Sequence, residues 1–237
     1  IALSKNVFMW RSLWRTLLYA CMLVVCVTVL SLIIALVLNS VKKCRVFVKS
    51  VFFFPAMLGS VAVALIWDQM FYQLLPAVGK MMGVNLQTPL ADPSTAIFGV
   101  LFVNVWQAVA MPTIILLAGL QSIPDDLYES AMIDGATRLQ IFTKITLPLS
   151  KPIIVYTALM AFMGPWVDFI FASVILGDVK DKYTVALGLY QMLNQDAINE
   201  WFLPFTAGAI IIAIPITLLF IFMQKYYVEG VTGGSVK

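Results

Sequence analysis

Histidine is absent from this 237-residue chain, and with it the commonest general base, proton shuttle and metal ligand. The three cysteines, Cys21, Cys26 and Cys44, form no C-x-x-C pair, and two lie inside an apolar run. A disulfide framework and a zinc site are both left without support. Charge is scarce: Asp, Glu, Lys and Arg make up 11% of the residues, against about 25% in a soluble domain. The net charge of +3, from 15 basic and 12 acidic side chains, is too weak a bias to call for nucleic acid. No G-x-x-x-x-G-K-[ST] phosphate loop is present, so the chain does not itself hydrolyse ATP by that route. The tail Gly230-Val-Thr-Gly-Gly-Ser-Val-Lys237 has the wrong spacing and no helix after it.

What fills the chain instead is apolar: 62% hydrophobic, with mean hydropathy +0.96. A water-soluble fold of this length could not cover its surface with so few polar side chains, so hydrophobic residues must face lipid. Five stretches suit membrane-spanning helices of about 20 residues: 16–38, 51–71, 96–120, 153–176 and 205–223. The expected fold is an all-α polytopic helical bundle forming a single membrane domain over residues 1–237. Pro55, Pro112, Pro165 and Pro215 lie within these spans, where kinks are expected.

Basic residues orient the spans. One set of segments (39–50, 121–152 and the tail) carries Lys42, Lys43, Arg45, Lys49, Arg138, Lys144, Lys151, Lys225 and Lys237. The opposite set carries Lys5, Arg11, Arg15, Lys80, Lys180 and Lys182. The bias assigns the first set to the cytoplasm, with Arg11 and Arg15 opposing it.

The 32-residue connection 121–152 is long enough to carry a function of its own. It reads as two short helices. Ser122 offers an N-cap, followed by Pro124 and Asp125. Tyr128, Ala131 and Met132 share one face by their spacing. Asp134 and Gly135 close the first helix, glycine supplying the positive φ of a C-cap. Thr137 caps a second helix, which Pro148 is expected to stop. An exposed apolar ridge on such a hairpin calls for a protein partner.

The residues of this hairpin carry a resemblance. Glu129-Ser-Ala-Met-Ile-Asp134-Gly135-Ala136, then Phe142 and Ile145-Thr-Leu-Pro148-Leu-Ser-Lys-Pro152, is similar to the EAA loop of the permease subunits of binding-protein-dependent ABC importers. Ser130 stands where a second alanine is common. Phe52-Phe-Phe-Pro55, Leu117-Ala-Gly-Leu-Gln121-Ser-Ile-Pro124 and Tyr183-Thr-Val-Ala-Leu-Gly188 resemble the carbohydrate-importing, maltose-type branch. The tail from Tyr227 resembles the smaller permease of such pairs. Permeases of this kind usually have six spans, so a first span is expected to precede Ile1.

The resemblance implies a subunit without catalytic residues that binds neither metal nor cofactor. ATP and Mg would sit on a partner ATPase dimer. A second permease, making a heterodimer, and an extracytoplasmic sugar-binding protein complete the expected assembly, in a bacterial or archaeal cytoplasmic membrane. Glu129, Ser130, Ala131, Asp134, Gly135 and Ala136 would dock on the ATPase. Gly135→Asp or Gly135→Pro would abolish transport and ATPase assembly while leaving the chain in the membrane.

Two polar stripes suit a translocation pathway, because polar groups on a span turn inward. Asn104, Gln107 and Met111 fall within roughly a 60° arc at about 100° per residue. Gly164, Asp168, Phe171 and Ile175 form the other. Interhelical hydrogen bonding is the competing and favoured explanation of the same residues, since the resemblance to maltose-type pairs implies that the partner subunit supplies the sugar site. The outer segment 177–204 carries Tyr183, Tyr190, Asn194, Gln195, Asn199 and Trp201, a mix suited to a wet, reversible protein interface. Among these, Tyr190, Asn194 and Trp201 are the candidate contacts for a binding protein. An ion-coupled secondary transporter, or a channel or assembly subunit, remains the alternative at this point.

Overall fold

The computed structural model of the protein describes residues 7–40, 45–176, 183–193 and 198–233. Eleven helices run through these described residues. In chain order they are α1 (Val7–Ser40), α2 (Arg45–Met57), α3 (Ser60–Met81), α4 (Pro93–Ala108), α5 (Ala110–Gln121), α6 (Asp125–Ile133), α7 (Arg138–Leu149), α8 (Lys151–Val167), α9 (Ile170–Leu176), α10 (Val185–Leu193) and α11 (Ile198–Gly233). No strand occurs among them. Helices α3 and α7 each contain one π turn, at Met70–Leu74 and Phe142–Thr146.

Three helices, α1, α3 and α11, are long and apolar enough to cross a membrane unaided, and two bent helix pairs raise the number to five. On α1, Val25, Val29, Ile33 and Val37 recur every four residues along an exposed face. Tyr19, Ala20, Leu23, Val27, Ala35 and Leu38 are buried. A helix apolar on its inner and outer faces alike belongs in lipid.

The spans differ from the hydropathy reading where hydrogen bonding intervenes. The stretch 51–71 is not one helix: α2 holds Pro55 internally and ends at Met57, and extended Gly59 (φ −62°, ψ 139°) starts α3. The apolar crossing therefore moves to Ser60–Met81. The stretch 96–120 breaks at Val109. Pro112 has no N–H for the Ala108 carbonyl, and Thr113 Oγ1 bonds back to the Val109 carbonyl at 2.7 Å, an arrangement that bends helices. The stretch 153–176 breaks at Asp168 and Phe169.

The chain divides into two compact units, each assembled from three separate segments. The first comprises Ile1–Leu23, Met57–Trp106 and Phe162–Leu218. Its core gathers Tyr19, Val63, Ala64, Leu90, Val100, Val103, Phe171 and Ile175. Trp67 stands at its edge, with Phe71, Phe102 and Trp106 rings 5.3–5.6 Å away. The two T-shaped contacts, to Phe102 and Trp106, suit the ring quadrupoles. The second unit comprises Val24–Ala56, Gln107–Ala161 and Leu219–Lys237. Its core is Ala35, Leu38, Leu116, Leu117 and Leu120, with Ile153 and Ile154 packed against it. Gly119 admits the Ile153 side chain into space that a Cβ would fill.

The end of α3 is a second place where glycine is required. Gly83 takes φ +71°, its N–H bonds to the Lys80 carbonyl, and Val84 N–H reaches the Gly79 carbonyl at 2.9 Å. This is the Schellman pattern, and it folds the chain back across Gly79. A Cβ on Gly79 would lie 2.7 Å from the Val84 carbonyl oxygen and 2.9 Å from the Leu86 nitrogen. Backbone cannot rotate away as a side chain can. Gly79→Ala is expected to cost about 1–3 kcal/mol, seen as a lowered thermal midpoint of the detergent-solubilised protein. Gly83→Asn, in open space and at a φ that asparagine tolerates, should cost less.

Candidate functional site

The 121–152 segment folds as the expected helical hairpin, with some changes of role. Ser122 does not cap α6; its Oγ donates to the Gly119 carbonyl at 2.7 Å and closes α5 instead. Extended Pro124 starts α6, and Asp125 and Asp126 occupy its first turn, where acids favour the helix dipole. At the far end Gly135 has φ +76°. Its N–H bonds to the Met132 carbonyl at 3.1 Å, and Ala136 N–H to Ala131 at 2.9 Å. That pair of bonds is again the Schellman motif. Thr137 begins α7 with a full capping box: its Oγ1 accepts from Gln140 N–H, while Gln140 Oε1 accepts from Thr137 N–H at 2.8 Å. Pro148 does not end α7. The helix continues to Leu149 through the widened turn at Phe142–Thr146, which precedes the proline and eases its clash with the carbonyl four residues back.

Glu129, Ser130, Asp134 and Gly135 are exposed on this hairpin, and Ala131 and Ala136 half-buried. Leu127, Met132, Ile133 and Leu139 are exposed as well, Ile133 at 85%. Of the three residues expected on one face, Tyr128 and Ala131 turn inward and Met132 outward. A shallow groove runs beside the turn, between Asp134, Gly135 and Ala136 and the α7 residues Gln140, Ile141, Lys144 and Ile145.

The second group lies in the first unit, at the break between α8 and α9. Asp168 Oδ1 accepts the Phe171 N–H at 3.2 Å, three residues on, as an N-cap does. Its Oδ2 meets Asn104 Nδ2 of α4 at 3.5 Å. The buried Tyr19 of α1 lies near Asn104 and Asp168, and its hydroxyl makes no hydrogen bond there. Sequence spacing does not single out Tyr19, because it lies 85 positions from Asn104 on another helix. Phe171 and Ile175, expected on the same stripe as Asp168, are core residues, Phe171 at 2% exposure. Gln107 is half-buried on α4, and the break at Val109 separates it from exposed Met111.

Among the described residues of 177–204 is a helix, α10. α10 buries Val185, Leu187, Gly188 and Met192, and its first N–H, from Val185, donates to buried Thr16 Oγ1 of α1 at 2.9 Å. Tyr183 is only 2% exposed, so it does not present a surface. Tyr190 does: it is 42% exposed, with its ring 4.4 Å from that of Phe169. Asn194 and Gln195 lie outside the described residues, and Asn199 and Trp201 are described for their backbone alone, within α11.

Residues 27–233 match the family model described as the binding-protein-dependent transport system inner membrane component. The chain belongs to this family. It is a multi-pass membrane protein. Among relatives, it is 38% identical to the multiple sugar-binding transport system permease MsmF of Streptococcus mutans, over 80% of this chain and 66% of that one. It is 34% identical to the galactooligosaccharides transport system permease GanQ of Bacillus subtilis, over 70% of this chain and 58% of that one. The matches span about three-fifths of these relatives' lengths. A chain of a solved bacterial alginate ABC transporter, in complex with an alginate pentasaccharide-bound periplasmic protein, superposes with TM-score 0.80 at 24% identity, covering 94% of this chain and 79% of that one. That likeness concerns the fold.

Proposed function

We propose that this permease is the membrane-spanning subunit of an ATP-driven importer and forms, with a second and different permease, the pathway for a sugar or oligosaccharide handed over by a binding protein. The observation that carries the reading is the exposed hairpin, with its Schellman turn at Gly135 set in an EAA-like sequence. Its apolar residues need a protein to cover them. The occupant proposed is a cytoplasmic ATPase dimer, which holds ATP and Mg; this chain hydrolyses nothing. Glu129, Ser130, Ala131, Asp134, Gly135 and Ala136 are its coupling residues. The sugar-permease relatives support a saccharide cargo.

Asn104 and Asp168 are proposed to border the pathway, with Phe171 in the core beside the helix break; Gln107, in the second unit, is proposed separately as a pathway residue. Tyr190, together with Asn194 and Trp201, is proposed to meet the binding protein on the extracytoplasmic side. The membrane is the cytoplasmic one of a bacterium or archaeon, with the hairpin on its inner face, in keeping with the basic residues of 121–152. Purification of the complex from its native membrane should bring the ATPase with it. In proteoliposomes loaded with ATP, uptake of maltotriose or galactotriose should persist when proton and sodium gradients are collapsed. Uptake that follows an ion gradient and ignores ATP would refute the reading.

A further inference from the structure

Helix α6 is held by very little. None of its nine residues is buried, and a helix that short is marginal without packing. The Gly135 turn joins α6 to α7 at one end, and the other end, at extended Pro124, is held by no side-chain cap. Between them, among the described residues, one side-chain hydrogen bond ties α6 to α7: Thr146 Oγ1 to Tyr128 Oη, 3.4 Å. Thr146 is buried, the last residue of the π turn at Phe142–Thr146. A π turn adds a residue to the helical turn and rotates the succeeding residues by about 100° relative to a regular helix. At the end of that widened turn Thr146 faces Tyr128. Four residues later Ser150 gives way to α8, so the bond stands where the hairpin joins a membrane helix.

We infer that Tyr128 and Thr146 are a positioning pair that locks α6 and α7 into one lever. Tyr128 adjoins Glu129, the first of the proposed docking residues. A push on Glu129 through Gly135 then moves both helices and reaches α8. Without the bond, α6 is tied to α7 by the Gly135 turn alone, and its Pro124 end moves and absorbs the displacement. The inference rests on the coupling role proposed above, and it adds what that role lacks: a reason why a hairpin with no buried residue in its first helix transmits force at all. Neither residue touches sugar or nucleotide in this scheme.

The test uses the whole complex in proteoliposomes with its ATPase, second permease and binding protein. The probe is maltotriose or galactotriose, whichever the parent imports faster, and the readout is ATP hydrolysed per sugar imported. Tyr128→Phe and Thr146→Val are each expected to raise that ratio about five-fold, the share of one hydrogen bond. Thr146→Ser, which keeps the hydroxyl, should restore the parent ratio. The double variant should be no worse than either single one. A parent-like ratio in both single variants overturns the inference. So does failure of both to retain the ATPase, since the bond would then serve the hairpin's folding alone. Gly135→Pro separates this from the underlying reading: if that variant imports at the parent rate, the coupling role itself is wrong; if it is inactive while the ratio stays at the parent value in both single variants, only the lever is.

Discussion

Replacing Gly135 by proline is expected to reduce sugar uptake by at least about 100-fold and to release the ATPase from the purified complex, with the permease still in the membrane fraction. The reasoning starts from backbone geometry. Gly135 sits at φ +76°, and proline is confined near −65°. Proline also lacks the N–H that bonds to the Met132 carbonyl. The Schellman turn cannot form, and α6 and α7 lose their relative placement. Bulk plays no part, because a Cβ at Gly135 would meet nothing within 4 Å. Gly135→Ala therefore carries conformational strain alone, about 1–2 kcal/mol, and should leave a weakened but active importer. Gly135→Asn adopts the left-handed region readily and should stay near the parent. Gly135→Asp has a similar backbone tolerance but adds a charge beside Asp134, on a hairpin that already carries Asp125, Asp126 and Glu129. Inactivity in the aspartate variant with activity in the asparagine variant would assign the defect to charge at the docking face. Parent-level uptake by the proline variant would sink the coupling assignment.

The hairpin was the most legible part of the chain because its signals are local. Gly135 after Asp134 specifies a left-handed C-cap, and Thr137 specifies an N-cap, each through bonds spanning three to five residues. Ser122 misled for a related reason: a serine between two helices can serve either, and the choice fell to the Gly119 carbonyl. The spans were legible as composition but not as continuous helices. Hydropathy sums side chains and takes no account of which carbonyl lacks a partner, so it does not show the breaks at Gly59 and Asp168; the bend at Val109 is the kink expected at Pro112. What joins distant segments was hidden as well. Thr16 reads as one more residue of an apolar run, yet it accepts the first N–H of α10. Tyr128 and Thr146 are 18 positions apart on two helices, and their contact is made at the end of a π turn.

At Asp168 two roles fall on one carboxylate, and substitution can separate them. One oxygen caps α9 through Phe171 N–H and the other meets Asn104. Asparagine is as good an N-cap as aspartate, so Asp168→Asn should keep the helix break and the thermal midpoint of the solubilised protein. It removes the charge from the contact with Asn104, and a hydrogen bond to a charged group is worth more than a neutral one. Uptake is expected to fall about ten-fold on that account. Asp168→Ala loses the cap and leaves Asn104 without its acceptor, which should cost about 1–2 kcal/mol of stability in addition. Asn104→Ala should reproduce the transport defect of Asp168→Asn, and the double variant should be far less than additive, as expected for partners in one contact. A sugar in the pathway would also make these variants change preference among maltotriose, galactotriose and sucrose, since each lost group served a particular hydroxyl. If Asp168→Asn and Asn104→Ala both keep the parent's rate and preference while Asp168→Ala alone is unstable, Asp168 serves the helix break only. The pathway must then be lined by other residues, of this chain or of the second permease.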